Sequence, residues 1–266
     1  MDGTTRNRYS RIIEEIFQER YRPGDVQVPF SREHIAATAN RLGIPLPKNL
    51  GDVLYSFRYR APLPNSILES APSDYQWVIR ALGRSSYAFI LVRQLDIVPN
   101  SALAETKILD STPGVVSRYA LNDEQGLLTK LRYNRLIDTF LGLTCYSLQN
   151  HLRTTVKGIG QVETDELYIG LDKRGAHYAV PVQAKGAKDQ IGQVQIEQDV
   201  AMCQEKFPHL AIIPIAAKFM APDLIALFAF EATQSTLALL IEKHYRLVAA
   251  NDLSADELIS YQLRPL

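Results

Sequence analysis

The stretch from Gln161 to Asp199, QVETDELYIGLDKRGAHYAVPVQAKGAKDQIGQVQIEQD, concentrates residue types that can do chemistry together. Side chains alternate along a strand. In Val162-Glu163-Thr164-Asp165-Glu166-Leu167, Glu163 and Asp165 therefore share a face. In the next run, Gln183 and Lys185 share a face and Ala184 takes the other. Lys173-Arg174-Gly175 reads as a hairpin turn between the runs, which makes them antiparallel neighbours and sets Asp165 beside Gln183 and Lys185. A carboxylate, an amide oxygen and an ammonium meeting where two strands join suit metal-assisted hydrolysis of a phosphodiester. A carboxylate is a hard ligand for Mg²⁺, which binds few protein groups and keeps several waters. The ion offsets phosphate charge and lowers the pKa of a bound water. A lysine beside it orients that water and stabilises developing charge. Gln183 offers a neutral, weaker oxygen and Ala184 a backbone carbonyl, so the candidate metal ligands are Asp165, Gln183 and Ala184. The plainer account makes Glu163 and Glu166 solvated strand positions and Lys185 a surface residue. Against it, Val180-Pro181-Val182 is apolar, and polar residues ending a strand that enters a core need partners.

Asp165, then 17 residues, then Gln183-Ala184-Lys185, on consecutive strands with a helix before and after, resembles the PD-(D/E)XK nuclease superfamily over roughly residues 120–220. That superfamily includes type II restriction endonucleases, Holliday-junction resolvases and repair nucleases. The resemblance implies a Mg²⁺-dependent nuclease, with Mn²⁺ as an alternative ion. Asp165 would bind metal, Gln183 would stand in for the second acid, and Lys185 would position the water. Thr164 replaces the proline of the motif, and Gln183 makes it a QXK variant, a form that occurs among active members. A second carboxylate would come from Glu163, the nearest candidate, or from Glu124, which matches an acid some members carry on the first core helix. Gln190, Gln193 and Gln195 open the following helix, where such enzymes approach the DNA backbone.

The elements that must hold this group follow from periodicity. Leu127, Leu128, Leu131, Leu136, Ile137 and Phe140 predict a helix over about 123–141. Strands are expected over 143–156, 162–171 and 177–185, then a helix over 189–206 and strands over 210–217 and 224–230. This is an α/β domain built on a mixed sheet in α-β-β-β-α-β order, spanning residues 116–266. Residues 94–115 read as an irregular connection.

Residues 1–100 read as a separate, mainly helical, winged-helix-like domain. One helix covers about 5–20. A second starts after Ser31, with Glu33 in its first turn and Gly43 as its stop. A third carries Leu50, Val53, Leu54 and Phe57 on one face. Two β-like runs follow, 74–81 and 86–92. A helix-turn-helix with a wing would put Lys48, Asn49, Tyr55, Arg58 and Arg60 near DNA. An ordinary small helical domain with a solvated helix end is the alternative.

Composition bounds the rest. The chain has 266 residues, 46% apolar and 22% charged, which supports a packed core. Its 29 basic and 29 acidic side chains give zero net charge, unlike a general polyanion binder. Residues 1–100 carry 13 basic and 10 acidic side chains, so a mild positive excess lies in the expected DNA-reading half. Two cysteines, Cys145 and Cys203, exclude a disulfide framework or a Cys-rich zinc site. The wide spacing of His151, His177 and His209 matches no zinc pattern. The first residues lack the apolar core of a signal peptide, and no run is long enough to span a membrane, so a cytoplasmic protein is expected. The expected partner is double-stranded DNA. A homodimer is the simplest way to cut both strands, and sequential cutting by a monomer is the alternative. The function expected is a DNA endonuclease of restriction type. A repair or anti-phage nuclease and a catalytically inactive DNA-binding protein are the rivals.

Overall fold

The computed structural model describes residues 3–59, 61–83, 85–95, 97–232 and 237–264. Arg60, one of the candidate DNA contacts, lies outside them. The chain divides into two compact units, residues 1–96 with 154–162, and residues 97–153 with 163–266.

The first unit runs α1 (Gly3–Arg20), β1 (Gln27–Ser31), α2 (Arg32–Arg41), α3 (Gly51–Tyr59), α4 (Asn65–Leu68), β2 (Tyr75–Gly83) and β3 (Ser86–Arg93). The strands form an antiparallel sheet in the order β1-β3-β2. β1 falls between the first two expected helices, where no strand was expected. Its five residues alternate exposed and buried, too short a run to announce itself without β3 beside it. Ser31 is the N-cap of α2, and its N–H donates to His34 Nδ1 at 2.9 Å, closing the first turn. Gly43 has φ +63, the left-handed conformation that ends a helix. Ile12, Ile13, Ile16 and Phe17 of α1 pack on Ile35, Val53, Leu54, Trp77 and Phe89. Phe17 meets both Trp77 and Phe89 edge-on, 5.1 and 5.0 Å between centroids.

The second unit begins with β4 (Glu105–Leu109) and α5 (Gly114–Tyr119), inside and just after the stretch expected to be irregular. Then come α6 (Glu124–Tyr133), α7 (Leu136–Leu141), β5 (Thr144–Val156), β6 (Gly160–Leu171), β7 (His177–Lys185) and α8 (Gln193–Lys206). The chain continues with β8 (Ala211–Ile212), β9 (Ile215–Ala221), β10 (Leu224–Ala232), β11 (Leu237–Val248) and α9 (Ala255–Gln262). The mixed sheet has the order β4-β11-β10-β9-β7-β6-β5, with β8 also on β7. β7 runs antiparallel to β6 and parallel to β8 and β9. β4 lies parallel to β11, a pairing between segments far apart in sequence that no local pattern could signal.

The helix expected over 123–141 is two helices. Asn134 separates them: its side chain donates to Lys130 O and Thr112 Oγ1 and accepts from Ser111 N. Such side-chain bonds compete with helix continuation, and Arg135 follows in the left-handed region at φ +47. The strand expected over 210–217 is likewise split into β8 and β9. Pro181 in β7 has no N–H to give a ladder, and its place falls between the pairs Ala179↔Ile212 and Val182↔Ile215. Leu127, Leu128, Leu131, Leu136 and Ile137 pack on Val180, Val182, Ala184 and Ile215 of the sheet. No helix among the described residues is long and apolar enough to cross a membrane.

Candidate active site

The regular pairing of β6 with β7 runs from Leu171↔His177 to Glu166↔Val182. Asp165 and Gln183 come immediately beyond its last pair. Here the Asp165 carboxylate accepts the Ala184 N–H at 2.8 Å. Asp165 is half-buried, and desolvation raises its pKa against the opposing pull of the Lys185 charge and the Ala184 N–H. Lys185, the last residue of β7, is 8% exposed. Its Nζ lies 3.0 Å from Glu124 Oε1, at the first residue of α6. Glu124 in turn pushes the Asp165 pKa up. Asp165, Ala184, Lys185 and Glu124 are thus brought together from β6, β7 and α6.

The turn that presents Glu124 is tightly built. Asp123 caps α6 by accepting Gly126 N–H at 2.9 Å. A Cβ on Gly126 would stand 1.6 Å from the Leu121 carbonyl oxygen, so the backbone can pass this close only at a glycine.

Gln183 and Lys185, placed on one face by alternation, are held by different helices. Gln183 is 1% exposed. Its Nε2 donates to Asp199 Oδ2 on α8 at 2.8 Å and to the Glu163 carbonyl at 3.3 Å. Its Oε1 is buried and has no hydrogen-bond partner, a costly condition for a neutral acceptor. Thr164 Oγ1 donates to Asp199 Oδ1 at 2.6 Å. Burial pushes the Asp199 carboxyl up to about 7, although the Thr164 and Gln183 hydrogen bonds favour its ionised form. The charges of Asp165 and Lys185 also act on Asp199, which ties the two groups into one electrostatic neighbourhood.

Glu163 is placed differently from the sequence expectation. Its carboxylate pairs with Arg153 Nη2 at 2.7 Å and lies 3.8 Å from His151 Nδ1, both on β5. Only its backbone carbonyl reaches Gln183. His151 has φ +47 within β5, and its Nε2 lies 2.8 Å from Gln125 Nε2, next to Glu124.

Among the described residues, no three or more His, Cys, Asp or Glu side chains are grouped so that they could hold a metal ion. The donor chemistry that does exist is one half-buried carboxylate and one buried amide oxygen without a partner. Both are hard oxygens, and Mg²⁺ is commonly held by one or two carboxylates with water and phosphate completing its shell. The residues therefore fit a weakly held hard cation and do not fit a closed structural metal site.

Of the expected DNA contacts, Lys48, Asn49 and Tyr55 are exposed. Asn49 Oδ1 accepts the Gly51 N–H at 3.1 Å at the start of α3. Arg58 is half-buried, with Nε and Nη2 shielded from solvent. Gln190 is exposed in the loop before α8. Gln193, the first residue of that helix, is 9% exposed and donates to Glu197 at 3.1 Å. Its side chain is turned inward, where the sequence expectation had it meeting a DNA backbone.

Sequence reasoning passed over Asp199. The signal was present: Ile196, Asp199, Val200 and Cys203 fall on one stripe of α8, and all four are buried. A carboxylate within an apolar stripe needs a polar partner from elsewhere in the fold.

In comparisons with known proteins, no family model matches the chain, and neither does any curated protein or solved structure.

Proposed function

We propose that the protein is a Mg²⁺-dependent DNA endonuclease, most readily of restriction type. The observation that carries this reading is the convergence of Asp165, Lys185 and Glu124 at the end of the β6–β7 ladder, with the buried, unpartnered Oε1 of Gln183 two residues before Lys185 on β7. Asp165, Gln183 Oε1 and the Ala184 carbonyl are the groups that would hold the ion. Mn²⁺ would serve in its place. When bound, the ion supplies charge neutralisation at the scissile phosphate and a more acidic water. The chain's own residues do the rest. Lys185 points an ammonium at the attacking water and at charge developing on the phosphate. Glu124 keeps that ammonium oriented through its 3.0 Å contact. Asp165 is held in place by the Ala184 N–H.

The element order supports the same reading. Helices α6 and α7, strands β5 to β7, helix α8 and strand β9 follow one another as the superfamily resemblance implies. In the first unit, the order α-β-α-α-α-β-β with sheet order β1-β3-β2 suits a winged helix, with α3 as the DNA-reading element. Its exposed Tyr55, and Lys48 and Asn49 just ahead of it, would meet the duplex. A separate reading domain ahead of a cutting domain is what favours restriction over junction resolution or repair. A homodimer would cut both strands at once.

Circular plasmid DNA incubated with the protein and Mg²⁺, with a chelator control, tests the proposal. Discrete bands that vanish with chelator support a restriction enzyme. A chelator-sensitive smear supports a non-specific nuclease, such as an anti-phage one. Retarded but uncut DNA supports the second reading, an inactive DNA-binding protein, which is favoured by the absence, among the described residues, of three or more His, Cys, Asp or Glu grouped to hold a metal ion.

A further inference from the structure

Gln183 sits where the superfamily resemblance expects a carboxylate, and the structure supplies a physical reason for the amide. Asp199 Oδ2 lies 2.8 Å from Gln183 Nε2, and both groups are buried. The second neighbour of Nε2 is the Glu163 carbonyl, which can only accept. The amide must therefore present its nitrogen to this pair. Reversed, it would set an oxygen against a carboxylate and a carbonyl. With the nitrogen committed, Oε1 is left as the one free acceptor of Gln183, buried and without a partner. A glutamate in the same place would lose the N–H that Asp199 and the Glu163 carbonyl accept, and would set carboxyl oxygens against both.

We propose that Asp199 is the positioning residue of this site: with the Glu163 carbonyl it locks the Gln183 amide so that Oε1 faces the cation. Thr164 completes the device, since its hydroxyl donates to Asp199 Oδ1 and keeps Oδ2 for Gln183. The inference rests on the metal-dependent reading above. It deepens that reading by naming which residue replaces the second acid's structural role and how. Asp199 touches neither substrate nor metal in this arrangement. It acts through the orientation of one amide.

The test is Mn²⁺ binding to the intact protein, followed by the electron paramagnetic resonance signal of free Mn²⁺, together with melting temperature. Asp199→Leu removes both acceptors and should weaken Mn²⁺ binding by about ten-fold or more, the usual scale for groups that orient a ligand. Asp199→Asn keeps an oxygen for Gln183 Nε2 and a nitrogen for Thr164, and should stay within about three-fold of wild type, well inside that loss. Gln183→Glu alone should lower the melting temperature. Adding Asp199→Asn to it should restore the melting temperature, because the new amide can donate to the new carboxylate, and should bind Mn²⁺ more tightly than wild type. A folded Asp199→Leu protein that binds Mn²⁺ like wild type would overturn the inference. So would strictly additive effects of substitutions at positions 183 and 199 on Mn²⁺ affinity, since an Asp199 that only stabilises the fold couples to its hydrogen-bonded neighbour in melting temperature and not in metal binding. This cycle decides the matter even if Asp199→Leu does not fold. Asp165→Ala is the separate control. If it binds Mn²⁺ as wild type does, the metal reading itself fails and takes the inference with it; if it loses binding while positions 183 and 199 stay uncoupled, only the inference fails.

Discussion

Lys185 and Asp165 contribute to the proposed reaction in distinguishable ways. Lys185→Ala removes the ammonium that would orient the water in the proposed reaction, and single-turnover cleavage should slow by about a hundred-fold or more. Mn²⁺ affinity should hardly change, because lysine is not a ligand. Asp165→Ala should lose cleavage and Mn²⁺ affinity together. It also removes the acceptor of the Ala184 N–H, so its fold should be checked by circular dichroism. Equal cleavage by either variant and wild type would end the assignment. At the same scale, Cys203 is not a nucleophile candidate. It is fully buried on α8, and burial pushes its thiol up to about 12.

At the scale of elements, two devices hold the scaffold around the site. The first is the contact of α6 with β6. Glu166 is fully buried, with Arg132 Nε 3.2 Å away and the Ser147 hydroxyl donating at 2.6 Å. Arg132→Ala would strand a buried carboxylate, and we expect a loss of about 3 kcal/mol in urea unfolding. Gly126→Ala would drive a methyl into the Leu121 carbonyl. Overpacking of this kind costs about 1–3 kcal/mol, and here it should also displace Glu124 and slow cleavage. The second device is the seat of α9 on β4. Lys107 Nζ pairs with Glu257 Oε1 at 2.7 Å, and the Lys107 N–H donates to the Tyr261 hydroxyl at 3.0 Å. The Lys107 side chain and the Ser254 cap hold the Glu257 carboxyl down at about 2, below its ordinary 4.5. A depressed carboxyl stabilises the fold above its unfolded value and loses that contribution as protons bind. Amide exchange in α9 should therefore quicken relative to the rest of the chain as pH falls from 4.5 toward about 2. Glu257→Gln should flatten that dependence. An α9 whose exchange ignores pH in this window would show that the ion pair does not seat the helix.

For the whole molecule, the proposed division into a reading part and a cutting part makes separable demands. Lys48 and Tyr55 are exposed around α3, whereas Arg58 is half-buried. If α3 meets DNA, Lys48→Ala should weaken binding across all sequences and reduce the slope of log affinity against log salt by about one. Tyr55→Ala should weaken binding with little change in slope. Mn²⁺ affinity at the Asp165 site should survive both. Filter binding over a salt series measures it. An unchanged slope and affinity for Lys48→Ala would mean that the loop before α3 does not touch the phosphates.

Local chemistry made much of this chain legible. The apolar spacing of Ile12, Ile13, Ile16 and Phe17 announced α1, and Ser31 and Gly43 marked the ends of α2, because caps and amphipathic faces depend on neighbours a few residues away. Strand alternation marked Asp165, Gln183 and Lys185 as residues that meet. Lys185 and Glu124, in contrast, are 61 residues apart, and only the packing of α6 beside β7 makes them an ion pair. Alternation put Gln183 and Lys185 on one face, but the partner of the Gln183 amide, Asp199 on α8, lay beyond the reach of any strand pattern. On sequence alone, Gln183→Glu reads as a repair of the motif; beside a buried Asp199 it removes the N–H that Asp199 and the Glu163 carbonyl accept. The same holds for β4 and β11, neighbours in the sheet that come from opposite ends of the second unit's sequence. Residue type and period determine which surfaces are apolar and which groups can react. The partners of a buried polar group come from wherever the chain returns, and a buried charge must find one because water is no longer there to solvate it.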